Sequence, residues 1–224
     1  MQHYPLFLNL AKKDVLVVGA GAVGRRKVAS LLSCSPRAVV VVDPGLTPAV
    51  ARELAASGAV RCHARKFMPE DVAGKALVFA ATGNREVNAL VAELCRERKI
   101  FCNIADAPDK SDFFVPARVE IQGITLAVST GGHSPALARR LRAELEAWLG
   151  TRYAGLLSLL SRLRPLLLAL GLPAEENGEI FRSLVDSPLA ELLETGRRAD
   201  AETLLAERLP KPLHSHMGEL LHGF

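Results

Sequence analysis

The sequence predicts an α/β protein: a parallel sheet flanked by helices, then a small β-hairpin and helix unit, then an all-helical C-terminal region. Three observations carry this prediction. Runs at 15–18, 39–42, 77–81 and 100–105 are short and apolar nearly throughout, and segments of helical spacing separate them. Such runs suit parallel strands covered on both faces. After residue 113 the pattern changes to hairpin-like runs, and from residue 151 onward everything reads helical.

The elements follow in order. Thr47-Pro48 reads as an N-cap with proline in the first turn, and Asn84 can cap a helix running on to Arg98. Strands are expected at 113–117, 119–122 and 124–129, the last two joined by a tight turn at Gly123. Ser134 then caps a helix that has Pro135 in its first position. Leu137, Leu141, Leu145, Trp148 and Leu149 form one apolar stripe on it, and Gly150 is its stop. A hairpin and one helix are too small to bury themselves, so this unit is expected to pack on the first domain or on a second copy of the chain. Breaks at Pro165, Gly171-Leu172-Pro173, Pro188 and Gly196 divide the remainder, and residues 211–224 read as a loose tail. The expected domains are thus 1–113, 114–150 and 151–224.

Composition narrows the class of function. The chain has 224 residues, 49% hydrophobic and 23% charged, the balance of an ordinary globular protein rather than a disordered or fibrous one. Aromatics are only 5%, so the core must be built from Leu, Val and Ala. A net charge of +4 suits anionic small molecules and falls short of a dedicated nucleic-acid surface. The N-terminus shows no secretory pattern. The apolar stretch 156–172 holds Arg162, Arg164 and Pro165, and reads as buried helix rather than membrane span. Cys34, Cys62, Cys95 and Cys102 form no close pair, which fits reduced thiols in the cytoplasm.

The strongest local signal is Gly19-Ala20-Gly21-Ala22-Val23-Gly24, which follows the first strand and opens a helix. Gly19 permits the tight turn, Gly21 lets the backbone approach a pyrophosphate, and Gly24 lets helix and strand pack closely. The phosphates would sit at the helix N-terminus, where free N–H groups and the dipole favour anions. Asp43 ends the next strand, 24 residues beyond Gly19. A carboxylate there accepts from the ribose hydroxyls and repels a 2′-phosphate, which favours NAD over NADP. Arg25, Arg26 and Lys27 add positive potential or form a solvated face.

Other candidates lie on strand ends and turns. Thr82, in the loop 81–84, is placed for a cofactor contact or for helix capping. Asp106 ends the strand 100–105; partly desolvated there, it can act as an acid or base, or simply form the turn before Pro108. Asp109 and Asp112 look like loop residues. Ser129-Thr130-Gly131-Gly132-His133-Ser134-Pro135 is a second glycine-rich turn into a helix, with Arg139, Arg140 and Arg142 following. His133 reads more simply as a surface histidine, and His214 with His216 is a weak pattern for metal binding.

Taken together, H-Y-P-L-F-L-N-L, V-L-V-V-G-A-G-A-V-G-R-R-K, A-A-T-G-N, F-C-N-I-A-D-A-P, F-F-V-P-A and L-A-V-S-T-G-G-H-S-P-A-L-A-R-R-L-R closely resemble the precorrin-2 dehydrogenase family. That family includes the N-terminal module of siroheme synthases. The resemblance is dense over residues 1–150 and looser beyond. It implies a Rossmann-type cofactor domain and NAD-dependent oxidation of precorrin-2 to sirohydrochlorin, with Asp106 as the key catalytic residue. It also implies NAD contacts at Ala22, Val23, Asp43 and Pro44, and a homodimer exchanging contacts through its hairpin region.

The implied substrate carries eight carboxylates, consistent with a basic chain and with substrate contacts at Asn103, Thr130, Gly131, Gly132 and His133. Thr130 stands where some siroheme synthases carry a phosphorylated serine. Some members of the family also insert Fe²⁺ at the same site, and no separate metal-ligand cluster is visible in this sequence. No methyltransferase module is expected after the helical region, which leaves uroporphyrinogen methylation to another protein. An NAD(H)-sensing module without turnover, or a repressor on the same fold, would use the glycine turn but leave N-I-A-D-A-P and S-T-G-G-H-S-P without a purpose.

Overall fold

In the computed structural model, residues 3–121, 123–150 and 152–224 are described. The chain divides into two compact units, Gln2–Val115 and Pro116–Phe224.

The first unit is a five-stranded, fully parallel sheet. β1 (Asp14–Val18), β2 (Ala38–Val42), β3 (Val60–His63), β4 (Leu77–Ala80) and β5 (Phe101–Ile104) lie in the order β3-β2-β1-β4-β5. Three helices cover it: α1 (Ala22–Leu32), α2 (Pro48–Ala55) and α3 (Arg85–Glu97). Alternate residues of each strand face opposite sides of a pleated sheet. Val15, Val17, Val39, Val41, Leu77 and Phe79 pack with Val28 and Leu31 of α1 and Leu54 of α2. Leu16, Val18, Val42, Val78 and Ala80 pack with Val91, Ala92 and Cys95 of α3. β1, β2 and β4 are apolar nearly throughout because neither face of the sheet sees water there. Thr47 caps α2 by accepting from the Val50 N–H, and Asn84 caps α3 by accepting from the N–H groups of Glu86 and Val87.

β5 is an edge strand, and side chains close its open side. The Cys102 N–H donates to Asp112 Oδ2 at 2.8 Å, the Ile104 N–H donates to Ser111 Oγ at 2.8 Å, and the Asp112 N–H donates to the Cys102 carbonyl at 2.9 Å. This explains the first departure from expectation. The run 113–117 is not a strand, because residues 113–116 lie outside any ladder and only Ala117 enters one. Phe113 instead packs its ring edge-on against Phe79, with centroids 5.3 Å apart.

Beyond β3, Arg65 makes two bonds to Asp71, of 2.8 and 2.6 Å, and the Met68 N–H donates to the same carboxylate at 2.9 Å. The Arg65 guanidinium holds the Asp71 carboxyl below its ordinary range. A depressed folded-state value stabilises the protein above that range, and the stabilisation is lost as pH falls through it. Asp71→Ala is therefore expected to lower unfolding free energy by about 1–3 kcal/mol at neutral pH. The gap to wild type should narrow in acid, as read by urea unfolding at both pH values.

In the second unit, β6 (Ala117–Ile121) and β7 (Ile124–Val128) pair antiparallel, and α4 (Pro135–Leu149) packs on them. Gln122, expected at the end of a strand, and Thr151, expected to open the helical region, lie outside the described residues. Ser134 caps α4 by accepting from the Leu137 N–H. The apolar stripe of α4 is poorly covered: Leu149 is buried, whereas Leu137 is 47% and Trp148 56% exposed.

Five helices follow: α5 (Ala154–Ala169), α6 (Ala174–Val185), α7 (Leu189–Glu194), α8 (Arg198–Arg208) and α9 (Met217–Leu220). Leu159, Leu163 and Leu167 of α5 share a core with Leu184, Leu189, Leu205 and Leu220. Two expectations fail in this region. Pro165 does not break α5, because both it and Ser161, whose carbonyl it leaves without an amide partner, lie on the exposed side. Residues 211–224 are not a loose tail: a 3₁₀ turn at Lys211–His216 and α9 bury Leu213, Met217, Leu220 and Leu221 in the helical core.

Candidate functional site

A sheet ordered 3-2-1-4-5 has its topological switch between β1 and β4, and ligands bind such sheets at the carboxyl ends of the strands on either side. The turn after β1 and the turn after β4 touch at this point. Gly19 sits at φ +103°, and a Cβ there would lie 2.4 Å from the Ala81 carbonyl oxygen. A Cβ on Gly24 would lie 1.9 Å from the Gly19 carbonyl oxygen. Gly21 differs, since nothing lies within 4 Å of where its Cβ would be. Gly21 is also the N-cap of α1 and offers no side chain to the first turn. Ala22 and Val23 are exposed in the first turn of α1, where helix N–H groups lack intrahelical partners, the setting that binds a phosphate.

Asp43 follows β2 and reaches back to this turn. Its Oδ2 accepts from the Ala20 N–H at 2.5 Å and its Oδ1 from the Gly45 N–H at 2.6 Å. Each carboxylate oxygen keeps a second lone pair, and the side chain is only partly buried, so ribose hydroxyls can still donate to it. Pro44 beside it is exposed. Arg25 and Arg26 are exposed on α1. Lys27 lies over the Phe79 ring, 5.4 Å from its centroid, where burial pushes its ammonium group down from the usual lysine range. These residues fit a dinucleotide: an open glycine cradle, unpaired helix donors and an acid at the end of β2.

At the ends of β4 and β5 the structure joins two sequence candidates through a residue not singled out beforehand. Asn88, on α3, is 1% exposed. Its Oδ1 accepts from the Thr82 N–H at 3.1 Å and the Thr82 hydroxyl at 2.7 Å. Its Nδ2 donates to the Thr82 carbonyl at 3.1 Å and to Asp106 Oδ1 at 2.8 Å. The signal was present in the sequence: Asn88, Val91, Ala92 and Cys95 lie at helical spacing, so Asn88 is the one polar member of the stripe that α3 buries. The other Asp106 oxygen, Oδ2, lies 3.7 Å from Nε of the exposed Arg85, and the Asp106 side chain is 31% exposed.

Asn103 is buried and donates to the Phe113 carbonyl at 2.9 Å. Asp112 closes the edge of β5, and Asp109 is exposed. The second glycine turn belongs to the other unit. There Thr130 Oγ1 accepts from the Ser134 N–H at 3.1 Å, Gly131 and Gly132 take positive φ, and the His133 N–H donates to the Thr130 carbonyl. His133 is exposed. Arg140 and Arg142 are paired along the helix with Glu144 and Glu146. His214 faces the Leu209 carbonyl and His216 faces Glu219. Among the described residues no cluster of three or more His, Cys, Asp or Glu is placed to hold a metal, and no helix is long and apolar enough to cross a membrane.

The fold and the cradle define an α/β dinucleotide-binding protein, and comparison with known proteins agrees. An NAD(P)-binding family model matches residues 6–117, half of the chain, and the model "Sirohaem biosynthesis protein central" matches residues 122–147. The chain belongs to the NAD(P)-binding family of sirohaem biosynthesis proteins that these two models describe, and its cofactor is a nicotinamide adenine dinucleotide. It is 44% identical to "Siroheme synthase 3" of Aeromonas hydrophila over 149 residues, 66% of this chain and 31% of that protein. It is 37% identical to the siroheme synthase of Thioalkalivibrio sulfidiphilus over 209 residues, 93% of this chain and 42% of that protein. The chain thus spans less than half the length of these curated relatives. Among solved structures, "SirC, precorrin-2 dehydrogenase" superposes with a TM-score of 0.69 at 23% identity, covering 99% of this chain and 100% of that one, which shows a shared fold.

Proposed function

We propose that this protein oxidises precorrin-2 to sirohydrochlorin with NAD, on the route to siroheme. The observation that carries the reading is the placement of the Asp106 carboxylate at the carboxyl end of β5, on the same sheet edge as the cradle and held by Asn88, which also holds the Thr82 turn. The oxidation removes a hydride and a proton from the macrocycle. When bound, NAD accepts the hydride. The chain's own part is to bind, orient and take the proton. The α1 N-terminus and Gly21 hold the pyrophosphate, Asp43 and Pro44 flank the ribose, and Thr82 borders the cofactor. Asp43 favours the 2′-hydroxyl cofactor over its 2′-phosphate counterpart, because its charge would meet the phosphate at close range. Asp106 accepts the proton as general base.

The same proposal assigns residues 1–113 to cofactor binding, 114–150 to dimerisation and 151–224 to a helical domain. Asn103, Thr130, Gly131, Gly132 and His133 contact the carboxylate-rich substrate. The poorly covered α4 stripe, with Leu137 and Trp148 exposed, supports a homodimer in which a second copy covers it. The compartment proposed is the cytoplasm, where four unbridged cysteines stay reduced.

The test is anaerobic incubation with precorrin-2 and either NAD or NADP, followed by the sirohydrochlorin absorption band. Formation of the product with NAD, and more slowly with NADP, is the expected result. A folded protein that binds NAD and makes no sirohydrochlorin would overturn the assignment in favour of a sensor.

A further inference from the structure

Asn88 is a neutral side chain at the bottom of the site, too deep to touch substrate at 1% exposure. Its four hydrogen bonds are polarised in one sense. The carbonyl end meets two donors, the Thr82 N–H and hydroxyl, and the amide end meets two acceptors, the Thr82 carbonyl and Asp106 Oδ1. The reverse orientation would press Oδ1 against two acceptors and Nδ2 against a donor, so the surroundings admit only one. Gln carries the same groups but on a stem one methylene longer. Asp has no amide to donate, and Leu would leave the half-buried Thr82 N–H and carbonyl without partners.

Resting on the dehydrogenase reading, we infer that Asn88 is a positioning residue for the oxidation: it anchors Asp106 Oδ1 and thereby assigns proton acceptance to Oδ2. An amide hydrogen on Oδ1 fixes the rotation of the carboxyl group. The oxygen left for chemistry is Oδ2, 3.7 Å from Nε of Arg85, whose side chain is 90% exposed. The proton leaving the macrocycle forms its new bond to Oδ2 and leaves its bonding pair in the ring as a new double bond, while the hydride departs with the pair of its own C–H bond. Because Asn88 also holds both backbone polar groups of Thr82, the turn beside the cofactor and the base beside the substrate share one rigid support. Misplacing a reacting group by about 1 Å can cost about a hundredfold in rate, so such a support is worth a measurable factor.

The experiment is a double-mutant cycle on the full chain with Asn88→Asp, Asp106→Asn and the pair, read by anaerobic steady-state and single-turnover kinetics. Asn88→Asp keeps an oxygen for the Thr82 donors and removes the donor to Asp106. It is expected to lower kcat by about 10- to 100-fold, with the KM for precorrin-2 and the NAD dissociation constant unchanged. In the Asp106→Asn background the same substitution is expected to cost nothing further, because a residue acting through Asp106 has nothing left to position. If Asn88→Asp does not fold, Asn88→Ser is put through the same cycle, since Thr82 Oγ1 retains its bonds to Asn84. Wild-type kcat in the single variant, or independent losses that multiply in the pair, overturns the role of Asn88 alone. A wild-type protein that does not oxidise precorrin-2 overturns this inference together with the reading beneath it.

Discussion

Asp106→Asn is expected to lower precorrin-2 turnover by about 10²- to 10⁴-fold while NAD binding and thermal stability hold at wild-type values. The variant is close to isosteric, and its side-chain oxygen can still accept from Asn88 Nδ2, so the bond of 2.8 Å need not be lost. Only the ability to take a proton disappears. Asp106 follows β5, with β4 between it and the turn after β1, and its bonded partners are Asn88 and Arg85. The substitution therefore touches none of the residues that build the cradle at Gly19, Gly21 and Gly24. Single-turnover kinetics with titrated NAD separates the two effects, and a variant with unchanged turnover would remove Asp106 from the mechanism.

The second large effect concerns the glycines, which are not equivalent. Gly24→Ala would place a methyl group 1.9 Å from the Gly19 carbonyl oxygen, a backbone atom that cannot step aside alone. The expected cost is about 3 kcal/mol or more of unfolding free energy, with nucleotide binding lost as a consequence. Gly21→Ala puts its methyl group into open space, with nothing within 4 Å, and Gly21 already has φ −65°. Stability should change by no more than about 0.5 kcal/mol. NAD affinity should fall about tenfold or more, because the methyl group occupies the approach of the pyrophosphate. Urea unfolding and NAD titration on both variants check this. Equal destabilisation by the two substitutions would contradict the geometry.

How much of this was legible beforehand depended on burial. The runs that became β1, β2 and β4 announced themselves because both faces of the sheet are covered there, which leaves few polar positions to blur the signal, and β5 was still legible with Asn103 as its one polar residue. β3, Val-Arg-Cys-His, escaped because an edge strand keeps polar residues among its apolar ones. The run 113–117 has strand-like composition, but the edge beside it is taken by Ser111 and Asp112, so composition without an available partner made no strand. The segment 211–224 looked loose because Pro, His and Gly interrupt it. Its Leu213, Met217, Leu220 and Leu221 nonetheless lie at helical spacing, and the helical core receives them. In the site, Asp43 and Asp106 were readable from their places after strands. Asn88 showed in the sequence only as a polar member of the stripe that α3 buries, because its role lies in partners brought together by the fold: Thr82 six residues away and Asp106 eighteen.

The contact between Gly19 and Ala81 has a consequence for the order of folding. β1 and β4 are neighbours in the sheet but are separated in sequence by two strands and two helices, so their pairing closes the longest loop of any strand pair in this sheet. The local strand–turn–helix of residues 14–32 can form early. It becomes a nucleotide cradle only once β4 has docked and the Ala81 carbonyl stands behind Gly19. Ligand affinity is therefore a property of the completed sheet and not of the glycine segment by itself. A nucleotide that binds only this final arrangement draws the whole unit toward its native state by mass action.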